Sequence, residues 1–245
     1  MRFGEAVVVD GLGSAPTEPA ESVVHDAPFG VRVLHRDAGS GAEHDLVEYP
    51  PGLRAQVHRH AAAHTIVVLD GRLAVNHDII GPGGYSHFPA GEPMLHGPAG
   101  DGGCRFVTLF DGPYDVEPLN VEAEASLGGA IVVDRLGSVP TEPTKMDVYD
   151  RAIGVRLLYE DPATGVEHDL IRYPAGLGAR VHRHTAAHTI VVLEGRLQAN
   201  DRIVGPGAYC HFPAGEPMFH APAGDDDCLF VIVFHGPYDV ETLDR

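Results

Sequence analysis

Tryptophan is absent from the 245 residues, and lysine occurs once, at Lys145. Lys and Arg together number 17 against 35 Asp and Glu, a formal charge of −18 with histidine neutral. A surface so short of positive charge repels polyphosphate and anionic lipid, which argues against nucleic acid or a membrane as partner. Long apolar runs are also missing. No stretch approaches the roughly 18 residues of a membrane-spanning helix, and Met1-Arg2-Phe3-Gly4-Glu5 lacks the basic-then-apolar pattern of a signal peptide. The expectation is a soluble, cytoplasmic chain. Cysteine is scarce: Cys104, Cys210 and Cys228 are odd in number and lack CxxC spacing, so free thiols are expected rather than a disulfide framework. Helical periodicity is lacking too, with no convincing amphipathic stripe of about 10 or more residues.

What is present is turn chemistry and β-branched runs. Gly (30) and Pro (20) are abundant, a density of turns that suits short strands better than long helices. Thr65–Leu69, Phe106–Phe110, Thr189–Leu193 and Phe230–Phe234 read as strands, with turns at Gly52, Gly71, Gly81-Pro82-Gly83 and Pro89-Ala90-Gly91. Shifting the chain by 124 residues superimposes Ala6–Glu117 on Ala130–Glu241 without a gap, and 72 of the 112 positions are identical. A period that long repeats a domain, not a solenoid unit. The reading is two tandem all-β domains, 1–122 and 123–245, joined around Asn120 to Gly128, each a small antiparallel sandwich or jelly roll.

The residue in excess is histidine, at 16. Twelve form pairs under the shift: His44/His168, His58/His182, His60/His184, His64/His188, His87/His211 and His96/His220. His25, His35, His77 and His235 face Tyr, Tyr, Asp and Asp and read as drift between copies. His58 and His60 alternate on a strand, so both rings leave one face about 6–7 Å apart along the backbone, and His64 keeps that parity. Three in-phase imidazoles, repeated, point to a metal ion, for neutral ring nitrogens bind Fe, Zn, Mn or Ni. Glu92 and Glu216 are the acidic residues nearest the candidate site, and are candidates for catalytic acid or base. His87 and His211 read as strand residues. His44-Asp45 and His168-Asp169 fall on an earlier strand whose adjacent side chains point to opposite faces. Cys104 and Cys228 read as small core residues.

The spacing Gly52, His58-x-His60, His64, Gly71, repeated as Gly176, His182-x-His184, His188, Gly195, resembles the first motif of the cupins, with His64 and His188 in place of its acidic ligand. Gly83 and Pro89-x-Gly91, copied as Gly207 and Pro213-x-Gly215, resemble the second motif. There the family's ligand histidine falls three residues after the glycine, a place held here by Met94 and Met218, with His96 and His220 two further on. Either Glu92-Pro93 is a bulge that returns His96 to the ligand position, or Met94 lines the pocket. The resemblance implies two tandem double-stranded β-helix (jelly-roll) cupin domains whose metal ligands are His58, His60, His64, His96, His182, His184, His188 and His220.

The stretch from Gly165-Val-Glu-His-Asp-Leu through Pro213-Ala-Gly215 is most similar to the cupin group that contains acetylacetone- and dihydroxyacetophenone-type dioxygenases and the cupin half of ChrR-type anti-sigma factors. That likeness implies a non-haem Fe(II) dioxygenase that cleaves a C–C bond beside a carbonyl of a small diketone or hydroxy-ketone; Zn, Mn and Ni are the alternative metals. An all-imidazole shell leaves the ion its full charge and favours an anionic or enolisable small-molecule substrate. Other readings are a Zn-dependent polyketide-cyclase-like or lyase cupin, a ChrR-like metal-sensing module without catalysis, and a storage-like bicupin, against which the intact histidine sets speak. Self-association into a homo-oligomer stays open.

Overall fold

A computed structural model describes residues 3–120 and 127–243. The chain divides into two units, Gly13–Leu136 and Met1–Leu12 with Gly137–Arg245. These are offset from the halves 1–122 and 123–245 of the duplication, because the short strand that opens each copy pairs outside its own copy. Val7–Val9 runs antiparallel to Tyr209–Phe212, and Ile131–Val133 to Tyr85–Phe88. The predicted join around Asn120 to Gly128 falls mostly on residues 121–126, outside the described residues.

The all-β expectation holds: among the described residues the only helical turns are the 3₁₀ segments Leu12–Ser14 and Leu136–Ser138. None is long and apolar enough to cross a membrane.

In the unit Gly13–Leu136, seven strands form one antiparallel sheet in the order Ile131–Val133, Tyr85–Phe88, His64–Gly71, Cys104–Phe110, Glu43–Tyr49, Phe29–Arg36 and Glu18–Ala20. A three-stranded sheet of His96–Pro98, Leu73–Val75 and Asp78–Ile80 lies against it, and the core fills the space between: Val47, Ile66 and Phe106 pack with Leu73, Val75 and Ile80. A two-stranded ribbon, His58–Arg59 with Glu117–Pro118, completes the unit. The second unit repeats this plan, with Tyr209–Phe212, His188–Glu194, Cys228–His235, Val166–Tyr173 and Ile153–Asp161 in the same order. Both units are jelly rolls.

The glycine that ends each histidine motif is demanded by the backbone. Gly71 and Gly195 adopt φ of 73° and 70°, and a Cβ at either would collide with the carbonyl of Gly103 or Asp227, the residue just before the neighbouring strand. Asn76 and Asn200 also take left-handed φ, which asparagine tolerates, and their side chains accept bonds from the amides of Leu95 and Phe219 at 3.0 and 2.9 Å. That clamp sets the chain one residue before His96 and His220.

Candidate metal centre

His58 and His60 flank exposed Arg59, and both rings are buried on the same face. His96 reaches them from the three-stranded sheet: its Nε2 lies 3.2 Å from Nε2 of His58. The second unit repeats the arrangement, with Nε2 of His182 and His220 3.1 Å apart. One ring nitrogen from each of His58, His60 and His96, and from each of His182, His184 and His220, lies within 4.8 Å of the others in its trio.

Met94 does not compete for this place. Its backbone exchanges two bonds with His58, at 2.8 and 3.0 Å, and its buried side chain sits in the core with Phe88 and Leu73. Since Met94 and His96 share parity, the same register that buries the thioether turns the imidazole to the histidine cluster. Met218 and His220 repeat this, the methionine bonded to His182 and buried in the core.

The remaining nitrogens are held from outside the cluster. Nδ1–H of His58 donates to the Gln56 carbonyl at 2.8 Å, that of His182 to the Arg180 carbonyl at 2.9 Å, and that of His60 to the Asp115 carbonyl. A carbonyl only accepts, so in these three rings the proton is on Nδ1 and the Nε2 lone pair is free to bind a cation. Tyr49 Oη stands 3.2 Å from Nδ1 of His96, and Tyr173 Oη 2.8 Å from Nδ1 of His220.

The fourth histidine of each motif stands beside the trio. His64 lies between the rings of Phe88 and Phe110, with centroids 4.8 and 4.7 Å away, and its ring centre is 4.9 Å from that of His60. Both nitrogens of His64, and both of His188, are buried without a hydrogen-bond partner. A neutral imidazole always carries one N–H, so each ring leaves polar atoms unsatisfied at about 1–3 kcal/mol.

Burial drives every one of these imidazoles below its ordinary titration range, His58 to about 4 and His184 to about 3. They are therefore neutral at pH 7, the form that ligates. Two nitrogens on one ion at about 2.1 Å are about 3.0–3.4 Å apart, which the Nε2 pairs match. With neutral, converging lone pairs and unpartnered rings alongside, the clusters could hold a metal ion.

A cavity of about 170 Å³ opens from the first cluster, lined in part by alternate residues of one strand, Glu43, Asp45, Val47 and Tyr49. The corresponding cavity of the second unit, about 300 Å³, is lined by Glu167, Asp169, Ile171 and Tyr173. Asp45 and Asp169 are 5% and 4% exposed, and burial together with Glu43 or Glu167 raises each carboxyl to about 8.

The structure reassigns several residues. Glu92 and Glu216, expected as acid or base, lie on exposed turns and line neither cavity; they pack on Gly128 and Gly4. Their turns adjoin the histidine strands, Gly91 and Gly215 donating to the His60 and His184 carbonyls at 2.8 Å, but the carboxylates lie outside both cavities. His25, read as drift, lines the first cavity with its ring centre 5.1 Å from that of Tyr49. Asp45 and Asp169 were legible only as strand residues; the available signal was an acidic residue in phase with Tyr49 inside an apolar strand. His87 and His211 are strand residues as expected, each with Nδ1 3.0 Å from a threonine hydroxyl, Thr65 or Thr189. Cys104, Cys210 and Cys228 are buried free thiols.

Comparisons with known proteins agree with this fold. A cupin-domain family model matches residues 45–110, and a ChrR cupin-like domain model matches residues 139–239. No curated protein matches the chain. Among solved structures, a Nostoc punctiforme protein provisionally named a dioxygenase aligns with TM-score 0.77 at 17% identity, over 98% of this chain and 87% of that one. The Lactobacillus farciminis oxalate decarboxylase in its formate complex aligns with TM-score 0.61 at 14% identity, over 99% and 90%. A Pseudomonas aeruginosa protein provisionally named as glyoxylate-induced gives TM-score 0.63 at 15%, over 100% and 90%. At these identities the likeness is one of fold.

Proposed function

We propose, from the premise that this chain belongs to the cupin superfamily as a bicupin, that each half is a metal-dependent centre acting on a small carbonyl compound. The reaction assigned is cleavage of a C–C bond beside a carbonyl of a diketone or hydroxy-ketone by O₂, with Fe(II) as cofactor. The observation that carries it is the convergence of the His58 and His96 Nε2 atoms at a cavity lined largely by apolar and aromatic side chains, repeated by His182 and His220, the latter lining the second cavity. His58, His60 and His96 would hold the ion in the first half, and His182, His184 and His220 in the second, with His64 and His188 as fourth donors. A divalent ion bound there supplies polarisation of a carbonyl and, when it is iron, reactivity toward O₂.

The chain's own residues do the rest. The carbonyls of Gln56, Arg180 and Asp115 fix the ring tautomers, and Tyr49 and Tyr173 hold His96 and His220 in orientation. The neutral ligand set leaves the site cationic, which favours an enolate with two oxygens, and walls such as Ile66, Phe106 and Phe110 exclude water from the bound substrate.

The test is O₂ uptake by anaerobically Fe(II)-loaded protein on a panel of β-diketones and hydroxyacetophenones. The expected result is about one O₂ per substrate consumed, with the Zn(II)-loaded protein inactive. A second reading, Lewis-acid chemistry as in a Zn-dependent cyclase or lyase, is favoured by Asp45 and Asp169: a buried carboxyl that keeps its proton at neutral pH suits proton transfer. Turnover by the Zn(II) form without O₂ would select that reading.

A further inference from the structure

The two cavities adjoin matching histidine trios and differ in their walls. Tyr49, His60 and His96 of the first recur as Tyr173, His184 and His220 of the second, whereas His25, Phe29, Val47 and Thr108 are replaced by Tyr149, Ile153, Ile171 and Ile232. The two cavities also differ in size, about 170 against about 300 Å³, and the replacements change the hydrogen bonding.

Besides His64 of the histidine cluster, three side chains lining the first cavity carry buried polar atoms without hydrogen-bond partners: Oδ1 of Asp45, Oγ1 of Thr108 and both ring nitrogens of His25. Asp45 and Thr108 are each 5% exposed and stand directly opposite one another on neighbouring strands, so their side chains share one patch of wall. The second cavity has satisfied or removed these groups. Tyr149, in place of His25, is hydrogen-bonded to Tyr173; Ile232, in place of Thr108, has no polar atom; Tyr238 donates to Glu167 at 2.9 Å. Buried polar atoms are almost always paired, and Asp45, Thr108 and His25, short of partners where their counterparts in the other copy are not, match a ligand that supplies those partners. A hydroxyl fits: it donates to Asp45 Oδ1 and accepts from the Thr108 hydroxyl. A dry cavity of about 150 Å³ holds a benzene, so the first site takes about six heavy atoms.

We propose that the two copies bind different ligands: the first a small carbonyl compound carrying a hydroxyl group, bound to Asp45 and Thr108, and the second a larger carbonyl compound that is apolar at the corresponding position. This rests on the reading above only in placing the carbonyl toward the histidines.

The probes are hydroxyacetone and 2-butanone, which have equal numbers of heavy atoms and differ by a hydroxyl for a methyl. Each is titrated into the full chain loaded with Zn(II), and the δ1-methyl NMR signals of Ile66, in the first cavity, and Ile171, in the second, are followed. The Ile66 signal should respond to hydroxyacetone at least about tenfold more tightly than to 2-butanone, while Ile171 shows no preference for the hydroxyl. Thr108→Ile, which installs the residue the other copy already carries, should reduce the preference at Ile66 to less than about threefold. Thr108→Val, which removes little besides the hydroxyl, should do the same, and Ile232→Thr should leave Ile66 unchanged. Equal affinities at Ile66, a preference that survives Thr108→Val, or no saturable response to hydroxyacetone would overturn the inference. Zinc content on the same sample separates the two readings: absence of bound zinc counts against the metal centre, and bound zinc with equal affinities counts against the hydroxyl subsite alone.

Discussion

His96 and Met94 differ by two positions on one strand face, and their burial assigns them opposite duties. Removing the ring in His96→Ala deletes one of three converging nitrogens, so metal occupancy of the first half should fall as far as in His58→Ala, by about half the chain's total. Met94→Leu exchanges one buried apolar side chain for another of similar volume; it should keep its metal and destabilise by less than about 1.5 kcal/mol. Metal analysis of the three variants checks both statements, and full occupancy in His96→Ala would remove His96 from the ligand set. The carboxyls give a prediction in pH. Burial and the neighbouring Glu43 lift Asp45 to about 8, whereas an unfolded aspartate titrates near about 3.9. Between those values the folded chain keeps a proton that the unfolded chain has lost, so this group stabilises fully below the lower value and its contribution is lost as pH rises toward 8. The histidines act in the opposite direction: their folded values are depressed, so stability is lost as pH falls below about 6.5. Metal-free protein should therefore be most stable near pH 7, with a melting temperature that declines from about pH 7 to pH 9, and Asp45→Asn should flatten that decline. An unchanged slope would mean that Asp45 is ionised in the folded state. Glu92 and Asp45 together show what sequence distance hides. Glu92 is four residues from His96 and exposed, while Asp45 is thirteen from His58 and shares its cavity, because the cross-strand register and not the chain decides proximity.

Strand parity explains why so much of the architecture was legible. Alternation places His58 with His60 and Met94 with His96 whatever the partner strands are, and the left-handed glycines and asparagines mark the turns between. Partner choice was not legible. Val7–Val9 and Ile131–Val133 occupy the same place in two closely similar copies, so each has much the same local chemistry for its own sheet and for the other, and sequence offers no ground to choose. Only the paired register shows the exchange, Val7 opposite His211 and Ile131 opposite His87. It carries a test by proline substitution, which removes a backbone donor and fixes φ. Val9→Pro should speed amide hydrogen exchange in Tyr209–Phe212 by about tenfold or more and leave Tyr85–Phe88 unaffected. Val133→Pro should do the reverse. Effects on the strand of the same copy would refute the exchanged pairing.

Duplication with both histidine sets intact sets the stoichiometry of the whole chain. Each trio is built by the same devices, a carbonyl on one ring, a tyrosine on another and two Nε2 atoms just over 3 Å apart, so neither half has the look of a scaffold that has lost its site. Native protein should bind two transition-metal ions per chain by elemental analysis, and a reproducible value near one would assign the lost site by comparing His58→Ala with His182→Ala. Occupancy also feeds back on folding. The unpartnered nitrogens of His64 and His188 weigh on the metal-free fold, and an ion that binds the native state alone stabilises it by about 2.7 kcal/mol at a hundredfold excess over its dissociation constant. Removing metal with a chelator should therefore lower the melting temperature by several degrees, and adding back Fe(II), Mn(II) or Zn(II) should restore it. Since the converging histidine trio recurs in both halves while the cavity walls differ, His58→Ala and His182→Ala should each forfeit a similar part of that stabilisation, whichever substrate each cavity accepts. Strongly unequal losses would show that the walls, and not the ligand set, govern how tightly each half holds its ion.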